Sequence, residues 1–191
     1  MDHRDHVGLI RAGVEGSGPR WLELGAGEGA FTLALADLLG AGGQILATDR
    51  DGRALGAADG AVRRRFPDVD LETRAFDYTD GVPSGPFDGV LAANTLHFVR
   101  DRDPTLREIR SSLAPGGRLV VVEYDADHGN PWVPHPFSFE TWRTEAQRAG
   151  YAEPRLIGRV PSRFLSAIYA AVADVPAGLV HSRPHGADRE E

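Results

Sequence analysis

The glycine-rich stretch Glu23-Leu-Gly-Ala-Gly-Glu-Gly29 is the segment of this sequence whose residue types best suit ligand binding. It lies between a short apolar run and a segment of helical period, where glycines allow a tight turn and let a ligand approach the backbone. A second apolar run ends at Asp49, 24 positions after Gly25. A carboxylate at that position could accept two hydrogen bonds from a ribose diol. The spacing therefore predicts a cofactor that contains a nucleoside.

Acidic residues in this stretch help to distinguish between two cofactor classes. The pattern Gly25-x-Gly27-x-x-Ala30 also satisfies the dinucleotide fingerprint, so an NAD(P)-dependent oxidoreductase is an alternative. Glu23 and Glu28 place negative charge where a pyrophosphate would bind. An ammonium or a sulfonium group would instead be stabilised by that charge. The charge pattern therefore favours a cationic cofactor over a dinucleotide.

The order of the motifs along the chain resembles that of a known family. Asp77 follows the third predicted strand, where its carboxylate could accept a hydrogen bond from an adenine amino group. Two further motifs are Phe87-Asp-Gly-Val-Leu-Ala-Ala-Asn-Thr-Leu-His97 and Leu113-Ala-Pro-Gly-Gly-Arg-Leu-Val-Val-Val-Glu-Tyr124. Together with the glycine loop and Asp49, they resemble the class I S-adenosylmethionine-dependent methyltransferases. The resemblance covers the chain from about Trp21 to Tyr124.

This resemblance implies a set of residues that hold the cofactor, S-adenosyl-L-methionine. At the methionine end the set contains Glu23 for the ammonium group, with Gly25, Ala26, Gly27 and Asn94. At the nucleoside end it contains Asp49 and Arg50 for the ribose, with Asp77 and Tyr78 for the adenine. Asn94 is followed by Thr95, Leu96 and His97, not by the Pro-Pro-Tyr of amino-methylating DNA enzymes. Methylation of DNA bases is therefore not expected.

The candidate groups on the acceptor side are His97 and an insert after the fifth strand. Methyl transfer is an in-line displacement, so the protein must align the acceptor and exclude water. His97 follows the fourth strand and could be a general base or a packed histidine that shapes the pocket. The insert (residues 125–138) is rich in Pro and aromatic residues and could form a substrate lid or a rigid surface loop. Its candidate acceptor contacts are His128, Trp132 and His135.

Short apolar runs that alternate with segments of helical period predict the frame for these groups. The predicted strands are 21–24, 45–48, 71–76, 87–92 and 119–122. This alternation is typical of a doubly wound α/β fold with a parallel sheet and helices on both faces. Only three residues separate the stretches 155–160 and 164–173, too few for a crossover, so an antiparallel hairpin is predicted. The resemblance implies a seven-stranded sheet of order 3-2-1-4-5-7-6, with strand 7 antiparallel.

The length of 191 residues predicts one domain followed by a tail. The domain is expected to span residues 1–173 and to begin with a short helical cap over 1–20. Residues 174–191 are polar and punctuated by Pro and Gly, which predicts disorder. Because the predicted cap is small, the site is expected to be open or to be completed by a second subunit in a homodimer.

The composition excludes several function classes. The chain has no Cys, which excludes disulfides, thiolate metal sites and a Cys nucleophile, and no Lys, which excludes Schiff-base and P-loop lysines. A net charge of −7 argues against nucleic acid as the main partner. No apolar run reaches the length of a membrane span and no signal segment is evident, so a cytoplasmic enzyme is expected. We predict a methyltransferase with a small-molecule acceptor and no metal; a non-catalytic cofactor-binding module is a further alternative.

Overall fold

Seven strands form one sheet in the computed structural model, which describes residues 1–162 and 164–177. The strands are β1 (Arg20–Leu24), β2 (Gln44–Asp49), β3 (Asp70–Ala75), β4 (Phe87–Ala93), β5 (Leu113–Tyr124), β6 (Arg155–Pro161) and β7 (Ala167–Asp174). Their order is β3-β2-β1-β4-β5-β7-β6, and β7 is antiparallel to both of its neighbours. The predicted fold class, strand order and antiparallel seventh strand are confirmed.

Within the described ranges, five α-helices cover the two faces of this sheet: α1 (His3–Val14), α2 (Ala30–Leu39), α3 (Gly52–Arg65), α4 (Asp103–Ser112) and α5 (Phe139–Arg148). The first three helices share one core with Val120 and Val122 of β5. The last two share the other core with Leu119 and Val121. Successive strand residues point to opposite faces, so a strand covered on both sides is apolar at nearly every position. None of the helices in the described ranges is long and apolar enough to cross a membrane.

The connections between the strands determine at which edge of the sheet a ligand crevice opens. The chain passes from β1 to β2 through α2 on one face, and from β4 to β5 through α4 on the other face. β1 and β4 are adjacent and parallel. Because their crossovers leave in opposite directions, a crevice opens between the loops at the carboxyl ends of these two strands.

The connection from β3 to β4 contains a short 3-10 turn, Tyr78–Asp80, in place of a longer helix. Asp77 begins this turn, and its Oδ1 accepts hydrogen bonds from the Thr79 backbone N–H at 3.0 Å and the Thr79 hydroxyl at 2.7 Å. The Tyr78 hydroxyl donates to the Thr95 carbonyl oxygen at 2.6 Å. The connection is thereby tied to the loop after β4, at the edge that carries the glycine loop.

β5 is longer than the predicted strand 119–122. It starts at Leu113, which pairs with Phe87 before a register shift to the pair Gly89 and Arg118. The Pro-Gly-Gly segment at 115–117 lies within this irregular first part of the strand. A pattern of Pro and Gly normally indicates a turn, and here the turn residues form a bulge that keeps the strand pairing on either side.

The end of the domain also differs from the prediction. β7 begins at Ala167, three residues later than predicted, and ends at Asp174, where the tail was expected to begin. Asp174 pairs with Arg118 of β5, and the N–H of Val175 donates to the Gly117 carbonyl at 2.8 Å. The predicted start of the tail at residue 174 is therefore wrong, because sheet pairing continues through it. Residues 178–191 lie outside the described residues.

The N-terminal segment, predicted as a helical cap over 1–20, forms α1 and a linker to β1. Asp2 begins the helix, where its side chain and that of Asp5 form a capping box. The His6 ring packs edge-on against Phe31 at a centroid distance of 4.6 Å. Phe31 belongs to the first turn of α2, directly after the glycine loop. α1 thus supports the helix that follows the loop.

Gly89 of β4 has no side chain, which lets the ring of Trp21 pack directly against the backbone of the neighbouring strand. A Cβ at this position would come within 2.4 Å of the ring of Trp21, which is fully buried. We expect Gly89→Ala to lower the free energy of unfolding by about 1–3 kcal/mol. At about 2–4 °C per kcal/mol for a chain of this size, thermal melting should show the loss.

The matched control is Gly8→Ala in α1, an exposed position where a Cβ meets nothing within 4 Å. This change should raise stability by about 0.5–1 kcal/mol, because alanine loses less backbone entropy in a helix. A Gly89→Ala melting temperature at or above that of the wild type would show that β1 and β4 pack less tightly than described.

Candidate functional site

A cavity of about 480 Å³ opens at the carboxyl edge of the sheet, where β1, β2 and β4 end. It is lined by Gly25, Asp49, Arg50, Phe76, Asp77, Tyr78, Thr79, Asn94, Thr95 and Phe98. Six of the nine predicted cofactor residues are therefore brought together; the other three, Glu23, Ala26 and Gly27, belong to β1 and its loop. Sequence reasoning missed Phe76, Thr79, Thr95 and Phe98, each of which lies within two positions of a predicted residue.

The glycine loop turns sharply after β1. Gly25, Gly27 and Gly29 all have positive φ, at 69°, 54° and 90°, which glycine adopts without strain. A Cβ on Gly25 would lie 2.2 Å from Thr95 Oγ1, whereas a Cβ on Gly27 would meet nothing within 4 Å. Position 25 therefore requires glycine, because any larger side chain would clash with Thr95 in the loop after β4. Gly27 exposes its backbone to open space, as a loop that receives a ligand must.

Asp49 fixes this loop through its carboxylate. Its Oδ2 accepts the Gly27 N–H at 2.8 Å and its Oδ1 accepts the Asp51 N–H at 2.9 Å. The cap of α3 is a different residue, Asp51, which accepts from the N–H groups of Arg53 and Ala54. A carboxylate has about four acceptor sites, so Asp49 keeps two for the hydroxyls of a ribose. The ribose assignment remains a prediction, and the geometry is compatible with it.

Two buried oxygens near the loop lack partners among the described residues. Glu23 is 1% exposed and its Oε2 accepts no hydrogen bond; the same is true of Asn94 Oδ1. Burial raises the pKa of Glu23 to about 7; the nearby Thr32 hydroxyl opposes this shift, and the charge of Asp49 adds a smaller increase. A buried acceptor without a donor is costly, and an ammonium group would supply N–H donors and a compensating charge. These residues therefore fit the methionine end of S-adenosylmethionine.

The predicted adenine residues have structural contacts of their own. Asp77 Oδ1 is occupied by Thr79, and the hydrogen bonds from Thr79 hold the pKa of Asp77 below its usual value. Tyr78 is half-buried and its hydroxyl is occupied by Thr95. Asp77 retains its second oxygen for an adenine amino group, while Tyr78 can contribute its ring face. Both adenine contacts remain predictions.

His97 lies in a 3-10 turn (Leu96–Phe98) after β4 and is almost fully buried. Its Nδ1 is 2.8 Å from Oε2 of Glu123, which is completely buried in β5. The two Glu123 oxygens also accept the backbone N–H groups of His97 and Tyr124. Because the Glu123 oxygens accept these N–H groups, Nδ1 is assigned as the donor, and in a neutral imidazole this tautomer leaves the lone pair on Nε2. The Phe98 ring, which lines the cavity, packs on the His97 ring at 4.3 Å.

The insert is fastened at both ends. Asp125 and Asp127 accept the backbone N–H groups of Phe139 and Ser138 at the start of α5. In between, the His135 N–H donates to the His97 carbonyl at 3.0 Å. These bonds hold the insert beside the turn that carries His97.

The three predicted acceptor contacts therefore differ in their surroundings. Only His135 is tied to the site, through its backbone. His128 is exposed, and the Trp132 ring is 75% exposed. Within the described part of the chain, no group of three or more His, Asp or Glu residues is arranged to hold a metal ion.

A family model described as a methyltransferase domain matches residues 22–119, about half of the chain. The chain belongs to this family. Its fold and motifs are those of the class I methyltransferases, whose cofactor is S-adenosylmethionine. The family membership confirms the predicted resemblance and excludes the nicotinamide-dependent alternative.

Two curated relatives and one solved structure illustrate the match. The methyltransferase domain is 31% identical over 188 residues to the reducing polyketide synthase grgA of a Penicillium species, covering 84% of this chain but 7% of the synthase. It is 32% identical over 124 residues to the ubiquinone/menaquinone biosynthesis C-methyltransferase UbiE of Cellvibrio japonicus, covering 62% of this chain and 48% of UbiE. The chain thus spans less than half of either relative.

The solved structure is magnesium protoporphyrin IX methyltransferase from Synechocystis PCC 6803 with bound S-adenosylmethionine. It superposes with a TM-score of 0.69 at 16% identity, covering 91% of this chain and 77% of that one. At this identity, the comparison supports the shared fold.

For Asp49, we expect Asp49→Asn to weaken binding of S-adenosylhomocysteine by about 2–3 kcal/mol, or roughly thirty- to 150-fold. In the asparagine side chain an NH₂ donor replaces one of the two acceptor oxygens of Asp49, and this donor would face a backbone N–H or a ribose hydroxyl. Titration calorimetry measures the change. Asp51→Asn is the matched control, because asparagine also caps helices well and should leave affinity unchanged. Equal affinities for the two variants would contradict the ribose assignment.

For Glu23, the raised pKa predicts a pH-dependent stability. Between about pH 4.5 and 7 the folded protein retains a proton on Glu23 that the unfolded chain has lost, so stability falls as pH rises through this range. Glu23→Gln removes the titration. Its melting temperature relative to the wild type should therefore increase from pH 5 to pH 8, while Glu72→Gln on exposed β3 should show no such trend.

The same Glu23 variant should bind S-adenosylhomocysteine more weakly. Ammonium binding needs the ionised carboxylate, so wild-type affinity should rise with pH up to about 7 and binding should release protons in calorimetry. The Glu23→Gln affinity should be lower and independent of pH. A wild-type affinity that does not change with pH would argue against an ammonium at Glu23.

Proposed function

We propose that this domain methylates a carbon atom of a small-molecule acceptor, a carbon acid whose reacting carbon carries a weakly acidic proton. The observation that carries the proposal is the buried pair of His97 and Glu123 beside the cofactor cavity, with Nδ1 and Oε2 2.8 Å apart. An uncharged amine acceptor has a free lone pair and needs no base for the transfer. A carbon acid must first lose a proton, and a fixed imidazole is suited to accept it near neutral pH.

The roles of the individual residues follow from their contacts. Glu123 accepts from Nδ1, which fixes the tautomer and stabilises the imidazolium that forms when Nε2 takes the acceptor proton. Glu23, Asn94 and the glycine loop hold the methionine end, and Asp49 orients the ribose. S-adenosylmethionine, when bound, supplies an electrophilic methyl group whose transfer leaves the electron pair of the C–S bond on sulfur. The rest of the site aligns the acceptor carbon for in-line displacement and excludes water.

The names of the relatives support carbon as the acceptor atom. UbiE is named as a C-methyltransferase, and the Penicillium relative is a polyketide synthase. A phenolic oxygen would also need a base and is the second candidate on geometry alone. A non-catalytic module would have no use for an imidazole that a buried carboxylate orients beside the cofactor cavity, so we favour an enzyme. The homodimer and the cytoplasmic location remain predictions from the sequence.

The test of this function uses the N-acetylcysteamine thioester of acetoacetate as a model carbon acid and methyl-labelled S-adenosylmethionine. Mass spectrometry locates the label on carbon or oxygen. We expect His97→Gln, whose amide can still donate to Glu123, to lower the transfer rate by about 10²–10⁴-fold. S-adenosylhomocysteine affinity should stay within about twofold, since His97 is not among the cofactor contacts.

His3→Gln is the matched histidine control, because His3 pairs with Asp37 on the α1–α2 side of the sheet. Glu123→Gln should reduce the rate less than His97→Gln while shifting the pH profile, as expected when the base loses its orienting charge. Full carbon methylation by His97→Gln would refute the role of His97. Labelling of oxygen only, across a panel of phenols and carbon acids, would favour the second candidate.

A further inference from the structure

Arg102 joins three segments that surround the predicted base. It is 7% exposed, and its Nε and Nη2 donate to the two oxygens of Glu145, each at 2.8 Å. Its Nη1 donates to the carbonyl oxygens of Val99 and His135, each at 3.1 Å. The guanidinium also lies over the Phe137 ring, 4.1 Å from its centroid. A single side chain thus connects the loop after β4, the insert and α5.

These contacts lead directly to His97. The Val99 carbonyl belongs to the residue that ends the 3-10 turn carrying His97. The His135 carbonyl belongs to the residue whose N–H donates to the His97 carbonyl. The insert is therefore bonded to the His97 turn on one side and to Arg102 on the other. Without Arg102, the insert would keep, among the described residues, the bonds at its two ends, the His135 N–H and the packing of its buried side chains Val133 and Phe137.

We propose that Arg102 is a positioning residue that fixes the insert against the His97 turn, so that the insert forms a rigid wall of the acceptor site. The proposal rests on the proposed function insofar as the base is His97. It changes the expectation for the insert: a segment predicted as a lid or a surface loop is bonded, through the His135 carbonyl, to an arginine that a buried ion pair with Glu145 holds in place. Closing motion of the whole insert would have to break the bond between Arg102 and the His135 carbonyl.

The chemistry of the guanidinium explains why this position requires arginine. Four of its N–H directions are used, two on a carboxylate and two on carbonyls that lie on different segments. The planar fork holds all four acceptors at once. A lysine ammonium has three donors at a single point and cannot reach both carbonyls while it pairs with Glu145.

The contribution of Arg102 is therefore one of geometry more than of charge. Buried ion pairs add little net stability compared with well-packed apolar residues. Stability alone therefore does not account for the ion pair between Arg102 and Glu145. The specific feature is the pair of carbonyl contacts, which sets the distance between the insert and the His97 turn.

The first experiment compares Arg102→Lys with Arg107→Lys by hydrogen–deuterium exchange of the ligand-free protein. Arg107 is an exposed arginine of α4, the helix that begins directly after Arg102, and it pairs with Asp103. In Arg102→Lys, amides of residues 126–137 should exchange at least tenfold faster, and amides of 20–49 should exchange as in the wild type. Arg107→Lys should alter neither. Insert exchange equal to that of the wild type would overturn the proposal, and equal acceleration over the whole chain would show a merely structural role.

A second variant keeps the proposal testable if Arg102→Lys does not fold. Glu145→Gln retains the carbonyl contacts of Arg102 and weakens only the pair, so insert exchange should rise by less than tenfold. A rise that is as large in 20–49 as in the insert would refute the proposal.

The second experiment measures function in the same variants. With the acetoacetyl thioester, Arg102→Lys should raise KM for the acceptor at least fivefold and leave S-adenosylhomocysteine affinity unchanged. Equal losses of both affinities would indicate general destabilisation and overturn the positioning role. If the thioester is not methylated even by the wild type, the proposed function fails, while the exchange measurements still decide the role of Arg102.

Discussion

The loops that follow β1 and β4 meet at Gly25 and Thr95, and no side chain larger than hydrogen fits between them. The rest of the site depends on this contact. Thr95 also accepts the Tyr78 hydroxyl through its carbonyl, and it begins the turn that carries His97. The cofactor loop, the short connection after β3 and the predicted base are therefore positioned by one residue. A larger residue at 25 would separate all three.

The buried charged side chains of the site differ in how many of their hydrogen bonds the protein itself supplies. Glu123 accepts from the His97 ring and from two backbone N–H groups, and Arg102 donates to Glu145 and to two carbonyls. Glu23 is as deeply buried as Glu123, yet one of its oxygens accepts nothing from the described residues. These two carboxylates, on β1 and β5 of the same sheet, thus differ in how far the protein supplies their donors. The missing donors at Glu23 are those that a cationic ligand brings.

Much of this arrangement could be predicted from the sequence, and the reasons for the remainder are physical. The glycine loop, Asp49 and Asn94 directly follow apolar runs, so their position at the strand ends was predictable from local pattern alone. Glu123 directly follows the predicted strand 119–122 and is not among the predicted site residues, because its pairing with a residue 26 positions away depends on which strands are neighbours. Arg102 resembled any exposed arginine for the same reason. The bulge at 115–117 cannot be distinguished from a turn in the sequence, since Pro and Gly give the same local signal in both.

The direction of β7 determines where the described chain leaves the domain. Because β7 is antiparallel to β5, Ile168 pairs with Tyr124 near the cavity and Asp174 pairs with Arg118 at the far end of the strand. The strand therefore carries the chain about 20 Å away from the carboxyl edge, at roughly 3.3 Å per residue. A fluorescent protein, an affinity label or a neighbouring enzyme joined after residue 177 would start on the side remote from the cavity. Such fusions leave the approach to His97 and the cofactor loop open.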